Sequence, residues 1–309
     1  MRRASFFGAA GLCLSLLTAS SAFAYCRTTT CDPGDPKASC KFDANGCVMT
    51  GFPLAWRSSC VTIGVQQMGS PRNGLTFDDI APVVEQAFSS WMKADCGNGT
   101  PSIQVNMIGP LECDVVEYNS KVGNANVVIF RNDVWPYTEM GASYAIGLTT
   151  THFDTTNGDL WDADIELNGT APLTIGDPIK GDDLLSVLTH EGGHFLGLAH
   201  SFDPTATMRP VYTAATDGDS LRSLAPDDIA GICSIYPPGR KPATTSCENR
   251  HGFSSQCAAD QPPPTEESKG CSLNTRTGIS GSSTRTSASL LALLAVACGT
   301  RLARRRRIV

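Results

Sequence analysis

The spacing of apolar positions divides the chain into short strands that alternate with three helical stretches. Cys60, Val61, Thr62, Ile63, Gly64 and Val65 read as a first strand. Thr76, with Asp79 three residues on, has the form of a helix start. After it Val83, Val84, Ala87, Phe88 and Trp91 recur at the spacing of a buried helical face. Strand-like runs follow at 103–108, 126–130, 143–149 and 160–167. A second helix is predicted from a cap at Asp182, with Leu184, Leu185, Val187 and Leu188 burying its back. A third opens at Pro226, a residue favoured in the first helical turn, and runs to about Tyr236. Together these elements describe one α/β domain over 53–237, long enough for an ordinary core.

Outside that domain the pattern changes. Residues 1–24 combine Arg2 and Arg3, an apolar stretch from Phe6 to Leu17 and the small-x-small end Ala22, Phe23, Ala24, which is the form of a signal peptide. Residues 25–52 are cysteine-rich and turn-rich, an extension with little room for a core of its own. Residues 238–270 are rich in Pro, Ser, Glu and Gln and read as a linker. In 271–309, Cys271 is followed by a Ser/Thr/Gly spacer, a short apolar run and five arginines. That order resembles the C-terminal sorting tags of myxobacterial surface proteins. The resemblance implies processing near the cysteine and a bacterial protein that is secreted or held at the cell surface. Contact with a membrane is expected only through this tag before processing.

Charge and cysteine usage fit export. The 24 Lys+Arg of the chain include nine in the two ends, where there are no acids, so residues 25–271 carry a net charge near −15. Such a surface disfavours nucleic acid as a partner. Apart from Cys13, Cys271 and Cys298, ten cysteines remain, an even number that implies disulfides outside the cytoplasm.

The chemistry lies in residues 190–201, which read His-Glu-Gly-Gly-His-Phe-Leu-Gly-Leu-Ala-His-Ser. His190 and His194 stand about 40° apart on one helical face, so both imidazoles can reach one metal ion. His200 would face away if the helix continued. Gly197 accepts the left-handed conformation that ends a helix, which lets His200 return as a third ligand. Three neutral imidazoles with an open position describe a catalytic zinc site. Glu191 sits at the rim of that face, where a carboxylate can activate a zinc-bound water and later protonate a leaving amine.

The motif resembles that of the metzincin metallopeptidases, and its surroundings resemble the matrixin branch. Met208 follows where the structural methionine of a metzincin turn would lie. Ser201 follows the third histidine, as in matrixins. Met208, Arg209, Pro210, Val211 and Tyr212 are similar to the matrixin segment that walls the primary specificity pocket. The stretch from Leu224 to Ile232, with Tyr236, is similar to the matrixin C-terminal helix. The resemblance implies a twisted, mostly parallel five-stranded sheet with one antiparallel edge strand, an active-site helix and a C-terminal helix. It implies His190, His194 and His200 as zinc ligands, Glu191 as general base and acid, and peptide or protein substrates laid along the sheet edge by a monomeric endopeptidase. The alternative from another class is a zinc-retaining adhesin that binds peptide strands without cutting them.

This chain departs from the pattern in places. Gly192 stands where matrixins usually carry a bulky apolar residue, and no P-R-C-G propeptide motif precedes the domain. Asp154, Asp159, Asp162, Asp164 and Glu166 crowd a region where matrixins bind calcium, and their density suits a hard cation. His152 beside Asp154 lacks the companion histidines of a second zinc site and reads as a surface or packing residue.

Overall fold

A computed structural model of the chain describes residues 24–257, apart from 117, 139–141, 213–216, 218 and 256, together with the short segment Arg306–Ile308. Residues 1–23 of the expected signal peptide, most of the tag and linker residues 258–270 lie outside the described residues.

The core of the fold is a sheet built from β2 (Cys60–Gln66), β3 (Gln104–Leu111), β4 (Val127–Phe130), β5 (Gly147–Phe153) and β6 (Leu160–Leu167). The spatial order is β3-β2-β4-β6-β5; β5 runs antiparallel to β6, and the other pairings are parallel. This is the expected five-stranded sheet with one antiparallel edge. All four residues of β4, Val-Val-Ile-Phe, are buried, as a central strand covered on both faces requires. Side chains stitch the parallel strands at their ends. Asn126 donates to the Thr62 carbonyl at 2.7 Å and accepts from the Ala163 amide at 2.9 Å.

One face of the sheet carries α1 (Phe77–Met92) and α2 (Leu184–Phe195). Thr76 and Asp79 form the reciprocal cap expected of them. The predicted stripe on α1 is buried with α2, and the Trp91 indole N–H donates to the Thr189 carbonyl at 2.8 Å. That contact explains the two adjacent glycines of α2. A Cβ on Gly192 would lie 3.3 Å from Trp91 Nε1, and one on Gly193 would fall 2.1 Å from Met208 Sδ. The bulk absent from α2 is supplied by Trp91, Phe88 and Met208.

Two boundaries differ from the sequence reading. The cap of α2 is Asp183 rather than Asp182, accepting from the Ser186 amide at 2.9 Å. Asp182 is engaged with Leu173, where β7 (Leu173–Thr174) pairs with β8 (Asp182–Asp183). The edge strand β5 covers 147–153 rather than 143–149, because Ala142–Tyr144 form a 3-10 turn. The run Thr149, Thr150, Thr151, His152 looks polar, yet every one of these residues is buried.

Disulfides brace the N-terminal extension internally and tie the C-terminal flank to the domain. All ten expected cysteines pair: Cys26–Cys47, Cys31–Cys40, Cys60–Cys247, Cys96–Cys233 and Cys113–Cys257. The first two disulfides pin the extension, whose β1 (Cys26–Arg27) pairs antiparallel with β9 (Leu198–Ala199). Residues 238–257, expected as the start of a linker, pack against the sheet. There the Arg240 guanidinium donates to the carbonyls of Trp56 and Ser58, and the Asn249 carboxamide oxygen accepts from the Thr62 hydroxyl at 2.6 Å. The α3 helix (Pro226–Ile235) closes the domain. Near the far end of the chain, β10 (Arg306–Ile308) pairs antiparallel with the outer edge of β5, at Thr149–Thr151.

Candidate metal centre

His190 and His194 lie one turn apart on α2, and the helix ends at once after them. Leu196 caps it, and Gly197 turns the chain with φ +98°. A side chain at Gly197 would also meet the Leu54 carbonyl at 2.6 Å, so glycine is required twice over. The reversal brings His200 back, and the ring centroids of His190, His194 and His200 stand 4.8–5.2 Å apart. One nitrogen from each ring falls within a 4.8 Å cluster, the only group of three potential metal ligands among the described residues.

The orientation of the first two rings is set by backbone. His190 Nδ1 contacts the Thr207 carbonyl at 2.7 Å and His194 Nδ1 contacts the Leu198 carbonyl at 2.9 Å. A carbonyl can only accept, so each Nδ1 carries the proton and each Nε2 presents a lone pair. The two Nε2 atoms face one another at 3.2 Å. Burial lowers the pKa of all three rings, that of His194 well below its ordinary value and that of His200 to about 3. Three neutral, converging nitrogen donors fit a zinc ion.

Glu191 is buried beside them, and burial pushes its carboxyl up to about 7. The Thr149 hydroxyl donates to its Oε2 at 2.6 Å, which favours the ionised form. Gly147, at the start of β5, lies so close that a Cβ there would meet Glu191 Oε1 at 2.5 Å. Thus edge strand and carboxylate are in direct contact. Neither Thr149 nor Gly147 was singled out by sequence reasoning, since their roles follow from strand register rather than from any local motif.

Met208 is buried beneath the histidines against Gly193. Its turn is held by a residue the sequence did not flag. The Asp228 carboxylate accepts from the amides of Thr207 at 2.7 Å, Met208 at 3.0 Å and Ala225 at 2.8 Å. Its neighbour Asp227 accepts from the Ser201 hydroxyl at 2.6 Å and from the Ala24 and Tyr25 amides. Pro210, Val211 and Tyr212 line one wall of a cleft of about 620 Å³ that also contains Gly147, His190, Glu191 and His200. The Tyr212 hydroxyl accepts from the Asp183 amide at 3.1 Å, fastening that wall to the start of α2.

The structure divides the five acidic residues of the expected calcium site between two places. Asp162, Asp164 and Glu166 alternate along β6 and are fully buried on the sheet face opposite α2, whereas Asp154 and Asp159 occupy the preceding turn. Asp154 is consumed by Thr156 and Asn157, and Glu166 by Arg131 and Tyr137. Both Asp162 oxygens and one of Asp164 have no hydrogen-bond partner, and burial pushes both carboxyls up. His152 is buried beside Asp162 at 3.5 Å and stacks on Tyr118, so it packs.

Comparison with known proteins meets this geometry where it is densest. Residues 138–237, which hold the three histidines, Glu191, Met208 and α3, match the matrixin family. That stretch is similar to a matrixin domain. Over 227 residues the chain is 29% identical to matrix metalloproteinase-C of Caenorhabditis elegans, covering 66% of this chain and 34% of that protein. Over 85 residues it is 45% identical to matrix metalloproteinase-16 of Rattus norvegicus and of Homo sapiens, covering 26% of this chain and 14% of theirs. The chain therefore spans about a third of these relatives or less.

Asp228 should be decisive for this domain. Asp228→Ala leaves three amides without their acceptor, at about 1–3 kcal/mol for each one kept dry. The expected result is a lower Tm together with a reduced zinc content by elemental analysis, because the Thr207 carbonyl orients His190. Unchanged values of both would contradict the assignment.

Proposed function

We propose that this chain is a zinc-dependent endopeptidase that acts on peptide bonds outside the cell. The observation that carries the reading is the convergence of His190, His194 and His200 beside the buried carboxylate of Glu191, in a cleft bounded by a sheet edge. Zinc held by the three imidazoles would supply Lewis-acid polarisation of the scissile carbonyl and acidify water. Glu191 then does the proton work: in its ionised form it takes a proton from water, and in its neutral form it returns that proton to the departing amine. Burial raises this carboxyl above its ordinary value, which favours its holding the proton before the amine departs. The outer edge of β5 would hold the substrate as an added antiparallel strand, the arrangement in which it pairs with Arg306–Ile308. Processing of the tag near Cys271 would remove that segment and leave the edge open. Pro210, Val211 and Tyr212 would form the wall of the pocket that receives the side chain after the cut.

The five disulfides support an extracellular setting, and the form of residues 1–24 supports export with Tyr25 as the first mature residue. The buried carboxylates of Asp162 and Asp164, the first with His152 Nδ1 at 3.5 Å, lie with the Thr150 hydroxyl of the paired strand and offer hard donors for a calcium ion on the covered face.

Three measurements test these statements. A peptide-library digest should show cleavage by the mature protein that a zinc chelator abolishes, and Glu191→Ala should retain zinc while losing roughly 10²–10⁴-fold in kcat/KM. A variant that cleaves as well as the parent rules out the role of Glu191. Thr149→Val removes the hydrogen bond that favours ionised Glu191, so the acid limb of kcat/KM against pH should move upward by roughly one unit. A fixed or downward-moving limb contradicts the pairing. Calcium should raise Tm relative to a chelated control, and Asp162→Asn should abolish the rise; equal Tm values would dispose of the calcium site.

A further inference from the structure

The zinc cleft is not alone at His200. On its other side lies an apolar cavity of about 260 Å³, bounded by Phe153 and Phe202 from the domain and by Phe42, Val48 and the Cys26–Cys47 disulfide from the N-terminal extension. His200 lines both spaces. The edge strand joins them as well, since Gly147 at its start borders the cleft and Phe153 at its end borders the cavity.

The cavity is a rigid feature. The extension is bonded to the segment that precedes His200, with Cys26 opposite Ala199 and Arg27 opposite Leu198. The Thr28 hydroxyl donates to the Leu198 carbonyl at 3.0 Å, and Cys31–Cys40 closes the loop beyond. Gly46 lets the Phe202 ring lie against the backbone of the extension, where a Cβ would come within 2.7 Å of the ring. Phe42 and Phe202 are nonetheless more than half exposed, at 55% and 59%. Large apolar surface held open in a fixed concavity is characteristic of a binding pocket.

We propose that the disulfide-pinned extension builds a second specificity pocket, which takes a large apolar side chain of the substrate about four residues to the N-terminal side of the bond cleaved. The inference rests on the endopeptidase reading above. Glu191 meets β5 between Gly147 and Thr149, and Phe153 lies four residues beyond Thr149, roughly 14 Å along a strand. In an antiparallel pairing, later positions on β5 face earlier positions on the added strand. An apolar side chain from that part of the peptide therefore reaches the cavity, whose charged lining residues are Asp32 and Arg27, the latter bonded to the Leu54 carbonyl.

Peptides carrying Leu or Ser at the third, fourth and fifth positions before the cleaved bond provide the test. Binding to Glu191→Ala protein is read by fluorescence anisotropy, and cleavage by the parent protein is read in parallel. Leu should bind and be cleaved roughly tenfold to a hundredfold better than Ser at one of these positions. Phe42→Ser and Phe202→Ser, both at exposed side chains, should each reduce that ratio towards one. Equal treatment of Leu and Ser at all three positions overturns the pocket even if cleavage is strong. Discrimination in binding without any cleavage supports the pocket and counts against proteolysis alone. A ratio that survives both substitutions places the selectivity elsewhere and overturns the inference.

Discussion

Two backbone carbonyls decide whether this domain can hold a metal. Those of Thr207 and Leu198 take the Nδ1 protons of His190 and His194, and so turn the lone pairs of both rings inward. Each carbonyl is in turn fixed by something distant in sequence. Thr207 is clamped by Asp228 from the start of α3, and Leu198 is paired with the N-terminal extension through β1. The metal centre is thus the meeting point of three chain segments, of which the histidine motif is only one. The chain reverses at Gly197, just past the helix end, because the third imidazole can reach the other two only after a left-handed turn.

The packing around the site follows from the same demand for close approach. Gly193 admits the Met208 sulfur, Gly192 admits the Trp91 indole, and Gly147 admits the Glu191 carboxylate. Each places a functional or supporting group nearer than a side chain would permit. Glycine is normally a cost within a helix. Here the indole of Trp91, buried and bonded to the Thr189 carbonyl, offsets it.

Local motifs were legible where the chemistry is local. The cap at Thr76, the stripe ending at Trp91, the three histidines and the glycine that returns His200 all depend on residues within a few positions of one another. What lay beyond reach was whatever depends on pairing across the sheet. The strand reading ends at Thr149, and Thr150 to His152 join the strand because β6 sets Asp164 opposite Thr150 and Asp162 opposite His152. The acids of β6 look like an exposed cluster until alternation turns three of them to a covered face. Asp228 looks like an ordinary first-turn acid until the fold brings it under Thr207 and Met208. The shift of the cap from Asp182 to Asp183 has the same origin, a pairing with Leu173 that no neighbouring residue announces.

The disulfides at the far end of the domain bear on what may be regarded as its unit of folding. Cys60–Cys247 and Cys113–Cys257 join β2 and the residues after β3 to a stretch lying beyond the last helix. The 138–237 span that aligns with the family contains neither bond and lacks three of the five strands. It is a unit of ancestry and not of stability. A piece cut at those limits would keep every zinc ligand and lose the scaffold that aims them, so the shortest self-sufficient fragment should reach from the first β1 residue to Cys257.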